Sequence, residues 1–298
     1  MATTDARPSD LRPILSGDFI SLAGLTCRLI GWSAGLESWY KRCLNLQTVI
    51  FLFFAGALGG GINAVAGGGS FVAFPALLFT GVPAIPANAT NTLSLWVGTT
   101  ASGNAYPQKL NLPLRILIPL VLTSLVGGLA GAILLIHTPA KTFLRVIPWL
   151  LLGATLLFAF GKHLTGRISA GISHDASSGA VAGASIFELL VAVYGGYFGG
   201  GIGIMNLAML AALGMTDIHA MNKLKVRLGG VINGVATVTF VVTKAIVWPQ
   251  AIVMTCGSVL GGYSTAHFAQ KLPQSWMKGF VIFVGAAMTI VFFWRGYR

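Results

Sequence analysis

Acidic residues are scarce in this chain: 298 residues hold seven Asp and Glu against 19 Lys and Arg. Charged residues make up 9% of the whole, where a soluble domain carries roughly 25%. That excludes a soluble globular surface of this size, and a mean hydropathy of +0.81 makes lipid the natural solvent. From Glu37 the next acid is Asp175, so an entire hydrophobic half has no carboxylate. Cation pathways usually carry Asp or Glu; an acid-free half suits an anionic or neutral substrate. Cys27, Cys43 and Cys256 form no CxxC pair and leave an odd count, so neither a disulfide framework nor a metal site is expected. HExxH, GxSxG and the Walker A lysine motif are all missing, and neither an enzyme nor a cofactor is expected. Gly59-Gly60-Gly61-Ile62-Asn63-Ala64 fits GxGxxG/A by letter, but a dinucleotide site wants an acid about 20 residues later. The net charge of +12 reads as basic loops facing anionic headgroups rather than as nucleic-acid binding.

What the chain does have is apolar length. Hydrophobic segments fall at about 46–66, 70–81, 89–106, 114–136, 143–161, 179–199, 202–214, 228–243, 247–268 and 278–295. Trp149, Trp248, Trp276 and Trp294 sit near segment ends, as interfacial anchors do. Gly127/Gly131 and Gly230/Gly234 have helix-packing spacing. Ahead of these segments, Leu22, Leu25, Leu29, Trp32, Leu36, Trp39 and Cys43 form an amphipathic stripe, suited to the membrane surface or to packing on the bundle. Arg7, Pro8, Arg12, Pro13 and Asp18 leave no apolar core for a signal peptide in the first 18 residues. The expected organisation is residues 1–45 as tail and interfacial helix, 46–161 as a first membrane repeat, 162–178 as polar linker and 179–298 as a second repeat.

The repeat is read from glycines and asparagines. Gly67-Gly68-Gly69 stands 132 positions before Gly199-Gly200-Gly201, and Asn91, Leu93, Gly98 and Gly103 stand 131 positions before Asn222, Leu224, Gly229 and Gly234. Leu46 to Gly81 as one helix would be about 54 Å long, against a hydrocarbon layer of about 30 Å. The segment must break, and three glycines are where it breaks at least cost. The break leaves N–H groups at the start of a half-helix, which a bound anion can satisfy. Matched glycine-broken segments are the pattern that points to a secondary transporter's site.

Gly67-Gly68-Gly69-Ser70, Pro75-Ala76-Leu77-Leu78, Gly81-Val82-Pro83 and Ala89-Thr90-Asn91-Thr92-Leu93, with Gly199-Gly200-Gly201-Ile202, Leu213-Gly214 and Ala220-Met221-Asn222-Lys223-Leu224, resemble the sulfite exporter TauE/SafE family over about residues 47–295. The resemblance implies a membrane permease for sulfite or organosulfonates, with two related halves and an Asn-containing region after each glycine-rich stretch. Where the family often reads Gly-Thr-Asn-Lys, this chain has Ala89-Thr90-Asn91-Thr92 first and Ala220-Met221-Asn222-Lys223 second, so the basic group comes from one half only.

The expected substrate-binding set is Asn63, Gly67, Gly68, Gly69, Ser70, Thr90, Asn91, Gly199, Gly200, Gly201, Asn222, Lys223 and Arg227. Amides donate to anion oxygens without a charge that would trap the anion, and Lys223 and Arg227 share a helical face at i, i+4 while Lys225 points elsewhere. Glu188 is the one acid well inside a predicted span, which makes it the candidate for proton coupling, a helix–helix tie being the alternative. Asp217 and His219 are weaker candidates, and His267, near a predicted end, reads as interfacial. The expected fold is all-helical and membrane-embedded, with about eight spans in two related halves, each carrying a glycine-broken helix. The expected partners are a small anion and the bilayer, with no nucleic acid; a homodimer is left open. The expected location is the inner membrane of a prokaryotic cell, crossed many times. Two topologies stay open: three crossings per half with a re-entrant hairpin, or four full crossings. The rival functions are an anion channel, separated by a test for saturable coupled flux, and an assembly protein, which would bind no anion.

Overall fold

The computed structural model describes residues 45–65, 67–103, 113–165, 178–213, 215, 218–268 and 274–296. Residues 1–44, Asp175 and Asp217, and the side chains of His219 and His267, lie outside that description. Among the described residues are ten helices: α1 (Leu46–Val65), α2 (Ser70–Phe79), α3 (Ala84–Gly103), α4 (Leu114–His137), α5 (Ala140–Thr165), α6 (Ser178–Tyr197), α7 (Ile202–Ala212), α8 (Ile218–Val242), α9 (Trp248–Phe268) and α10 (Gln274–Gly296). Four helical stretches, Leu46–Ala64, Leu114–His137, Ser178–Tyr197 and Ala220–Val242, are long and apolar enough to cross a membrane. Their outer faces suit lipid. Leu122, Val126, Leu129 and Ile133, at steps of three and four along α4, are all exposed.

Two seams of small residues hold the bundle together. A side chain on Gly257 of α9 would run into the Phe53 carbonyl of α1, one on Gly261 into the Ala57 carbonyl, and one on Gly61 into Thr265. The matched order means that α1 and α9 run parallel with their backbones in near contact. In the second seam Gly127 of α4 packs on Ala192 of α6 and Gly131 on the backbone from Val193 to Tyr197, again in parallel order. Lipid supplies no hydrophobic drive between helices, so close backbone approach is what stabilises such pairs. Gly230 does not take part in packing: a Cβ there would meet nothing within 4 Å.

The chain reverses at both glycine breaks. Gly67 (φ 77°), Gly199 (φ 80°) and Gly201 (φ 83°) adopt the left-handed conformation that only glycine takes without strain. Beyond the first break Gly69 packs back on Gly59 and Asn63, and beyond the second Ile202 packs back on Gly195. So α2 folds down along α1, and α7 along α6. Helix α3 then runs parallel to α9, since Val247 N–H donates to Thr90 Oγ1 (3.0 Å), Ser94 Oγ–H donates to the Ala251 carbonyl (3.2 Å), and Gly98 lies on Ser258. Helices α1, α3 and α9 therefore share one direction, with α2 returning between the first two. The core falls into two clusters, one around Phe74, whose ring meets Phe198 edge-on at 5.7 Å, and one around Leu120, Leu210, Leu224 and Leu228.

Candidate functional site

The two glycine breaks meet. A Cβ on Gly67 would lie 3.0 Å from the Gly203 Cα, and one on Gly203 would lie 3.1 Å from the Gly67 Cα. Beside this contact is a cavity with about 40 Å³ open to water. Roughly 10–15 Å³ holds one water, so about three waters, or an anion of a few heavy atoms, fit there. Helices α1 and α2 with the first break contribute Asn63, Gly67 and Ser70; α3 contributes Thr92, Leu95, Trp96 and Thr99. The second break and α7 contribute Gly199, Ile202 and Gly203, and α8 contributes Lys225, Val226, Gly229, Gly230 and Asn233.

Among the described residues of this lining Lys225 is the one charged side chain. It is 4% exposed, and its Nζ has no hydrogen-bond partner among the described residues. Its stem lies across the second break, 3.2 Å from where a Cβ of Gly203 would be. A buried ammonium without a partner costs several kcal/mol, so its three N–H donors call for an anion. On the opposite side Asn91, 1% exposed, donates from Nδ2 to Ser70 Oγ at 3.1 Å. That bond uses a Ser70 lone pair and leaves its O–H free to donate. Asn63 Nδ2 donates to Thr99 Oγ1 at 2.5 Å, while the Thr92 and Thr99 hydroxyls donate back to the Asn88 and Leu95 carbonyls. Trp96 Nε1–H donates across to the Gly230 carbonyl of α8 at 2.9 Å.

The sequence-based set is only partly gathered here. Asn63, Gly67, Ser70 and Gly199 line the cavity. Asn91 stands one shell behind, acting through Ser70. Thr90 is fully buried and accepts from the Val247 backbone, which ties α3 to the start of α9. Gly69 packs on the Gly59 carbonyl, Gly200 accepts from Tyr194 Oη at 2.7 Å, and Gly201 faces Ala154. Gly68, like these three, is not in the lining. The basic cluster is reversed relative to expectation: Lys225 faces the cavity, Lys223 is half-buried outside the lining, and Arg227 is exposed. Asn222 is also outside it.

Within the lining a spacing of 134 positions recurs. Thr92, Leu95, Trp96 and Thr99 stand 134 positions before Val226, Gly229, Gly230 and Asn233, and all eight line the same cavity. Matching letters at 131 positions paired Asn91 with Asn222; at 134 Asn91 pairs with Lys225, and Asn88 with Asn222. Asn88 is fully buried and donates from Nδ2 to the Tyr197 carbonyl at 3.0 Å, holding the second break from the first half. The signal that could have found the missed residues is the run of polar and small positions at helical steps, Thr92-Trp96-Thr99 and Lys225-Gly229-Asn233.

Glu188 lies away from this lining, in the α4–α6 seam. It is fully buried, and its Oε1 accepts from Ser124 Oγ at 2.6 Å. Its Oε2 has no partner among the described residues. Among those residues no group of three or more His, Cys, Asp or Glu is placed to hold a metal.

The comparisons agree on one family. The sequence profile described as "Sulfite exporter TauE/SafE" matches residues 52–292. A probable membrane transporter protein, ORF9, of Sinorhizobium is 26% identical over 254 residues, covering 83% of this chain and 93% of the relative. A probable membrane transporter protein of Haemophilus influenzae is 28% identical over 251 residues, covering 83% and 94%. The probable membrane transporter protein YfcA of Escherichia coli is 25% identical over 249 residues, covering 80% and 87%. With a profile match running from α1 to α10 and four helices apolar enough to cross a membrane among the described residues, this integral membrane protein belongs to the sulfite exporter TauE/SafE family.

Proposed function

We propose that the protein is a secondary transporter that carries a small sulfur-containing anion, sulfite or a short organosulfonate, through the cavity where the two glycine breaks meet. The observation that carries this reading is the Lys225 ammonium, buried and, among the described residues, without a partner and without a carboxylate in the lining. Ser70 and Ile202, the first residues of α2 and α7, both line the cavity, so the two helix dipoles add positive potential there. The volume favours an anion with few atoms beyond its oxygens.

The architecture supports alternating access. In our reading residues 46–161 and 179–298 are related halves. Their helices begin 132 positions apart for α1/α6 and α2/α7, and 134 apart for α3/α8, α4/α9 and α5/α10. Since α2 and α7 fold back, each half crosses three times and re-enters once. An odd count places the halves in opposite orientations, as inverted repeats require. The inner membrane of a bacterial cell is the proposed location, in keeping with bacterial relatives. Glu188 is the proposed proton-coupling residue, as the acid inside a span with one oxygen uncommitted among the described residues.

The test is flux of radiolabelled sulfite and a panel of sulfonates into proteoliposomes. Saturable uptake driven by an imposed gradient supports a transporter, and non-saturable flux supports a channel. Absence of both flux and anion binding would discard the reading.

A further inference from the structure

The matched pair Trp96 and Gly230 has a feature that charge does not explain. The two occupy corresponding positions, 134 apart, on the two helices that face each other across the cavity, and they touch through the indole N–H and the Gly230 carbonyl. One half thus supplies the largest side chain at this position and the other supplies none. The indole fits because Gly234, one turn further on, is also glycine: a Cβ there would lie 3.2 Å from the ring. Gly230 differs. A Cβ added to it meets nothing within 4 Å, although the residue lines the cavity and lies one turn from Gly234, so its missing side chain is open space on the α8 face that meets Trp96. The N–H of Trp96 is already committed to a backbone carbonyl, so the ring acts there as a fixed apolar wall and not as an anion donor.

We infer that Trp96 and Gly230 together set the size of anion the protein accepts, the indole as fixed wall and the glycine as the space that admits the substrate's non-oxygen end. The inference rests on the transport reading above and adds a selectivity determinant to it. Lys225 attracts any small anion, whereas the open space at Gly230, bounded by the indole, decides which organic substituent can accompany the sulfur oxyanion.

The pair predicts opposite shifts from two substitutions. Gly230→Ala puts a methyl into open space, so it leaves the fold intact and its melting temperature no lower than wild type. Gly183→Ala in α6, which also meets nothing within 4 Å and lies outside the cavity, is the control. Gly230→Ala should reduce uptake of sulfonates at least tenfold relative to sulfite, while Gly183→Ala leaves the ranking unchanged. Trp96→Phe shortens the wall and frees the Gly230 carbonyl, and should shift the ranking the other way, toward longer sulfonates. Both proteoliposome uptake and anion-induced rise in melting temperature are read for sulfite and for alkanesulfonates of increasing length. A size ranking unmoved in both variants, with wild-type uptake and binding present, overturns the inference alone. A wild type that neither binds nor carries any of these anions overturns the transport reading and this inference with it.

Discussion

Helices α3 and α8 face each other across the cavity with matched positions and unlike chemistry. From α3 come Thr92, Leu95, Trp96 and Thr99, neutral and bulky, with both hydroxyl protons turned back onto their own helix. From α8 come Lys225, Val226, Gly229, Gly230 and Asn233, which bring a charge and empty space. Two symmetric walls would have given either two ammonium groups, which bind an anion too tightly to release it, or none. On the transport reading, with α3 and α8 matched at 134 positions, the backbone frames the site and the unlike side chains give it a preference.

Removing the charge should break this contrast most severely. Lys225→Met keeps the stem volume and deletes the ammonium. At about 4 Å and an effective dielectric constant of about 20, two unit charges attract by about 4 kcal/mol. Anion affinity should therefore fall at least about 100-fold, read by uptake and by loss of the anion-induced rise in melting temperature. The same substitution removes an unpartnered buried charge, so the anion-free protein should melt higher than wild type. A variant that binds sulfite normally would transfer the site elsewhere.

The helices were legible in the sequence to within a few residues, because apolar runs between polar loops are what lipid selects. The largest miss is the start of α8, read at 228 and found at Ile218. The ten residues between include His219, Asn222, Lys223, Lys225 and Arg227, so hydropathy sees a loop. That polar stretch of about three turns is held helical by the packing of Met221 and Leu224 in the core, which hydropathy does not report. The same polar stretch hides which of its cations borders the cavity. Letter identity favoured Asn91 opposite Asn222, while one helical turn of slip, from 131 to 134, brings Lys225 opposite Asn91. The contact of the two breaks at Gly67 and Gly203 could be anticipated from repeat and length, but Trp96 against Gly230 could not, since a cross-half contact leaves no local pattern.

A middle-sized effect should come from Asn91→Ala. This amide touches Ser70 and not the cavity, so it acts by orienting a hydroxyl. Losing one buried hydrogen bond is worth about 1 kcal/mol, which predicts about a fivefold loss of anion affinity. Thr90→Ala should instead lower the melting temperature with affinity unchanged, because its partner is the Val247 backbone. A smaller effect still is expected from Lys223→Ala and Arg227→Ala, neither in the lining: affinity within about twofold of wild type. If Lys223→Ala were as damaging as Lys225→Met, the 134-residue register would be the wrong one for function.

The smallest effect on anion binding should be that of Glu188→Gln. The carboxyl sits in the α4–α6 seam, where Ser124 is its hydrogen-bond partner, and is absent from the cavity lining. Gln keeps the volume and can still accept from Ser124 through its carbonyl oxygen, so packing and anion affinity should be close to wild type. What it cannot do is take up and release a proton. If Glu188 couples protons to transport, uptake driven by an imposed pH gradient should fall to the level seen without a gradient, while anion binding persists. If Glu188 serves instead as a tie between α4 and α6, Ser124→Ala and Glu188→Leu, which break the bond, should lower the melting temperature, and Glu188→Gln, which keeps it, should leave both the melting temperature and the gradient response intact. The α1–α9 seam sharpens the choice, because Gly60 and Gly261 pack it tightly with no carboxylate at all. A seam of this construction holds without an acid, so the place of one in α4–α6 asks for a task other than cohesion.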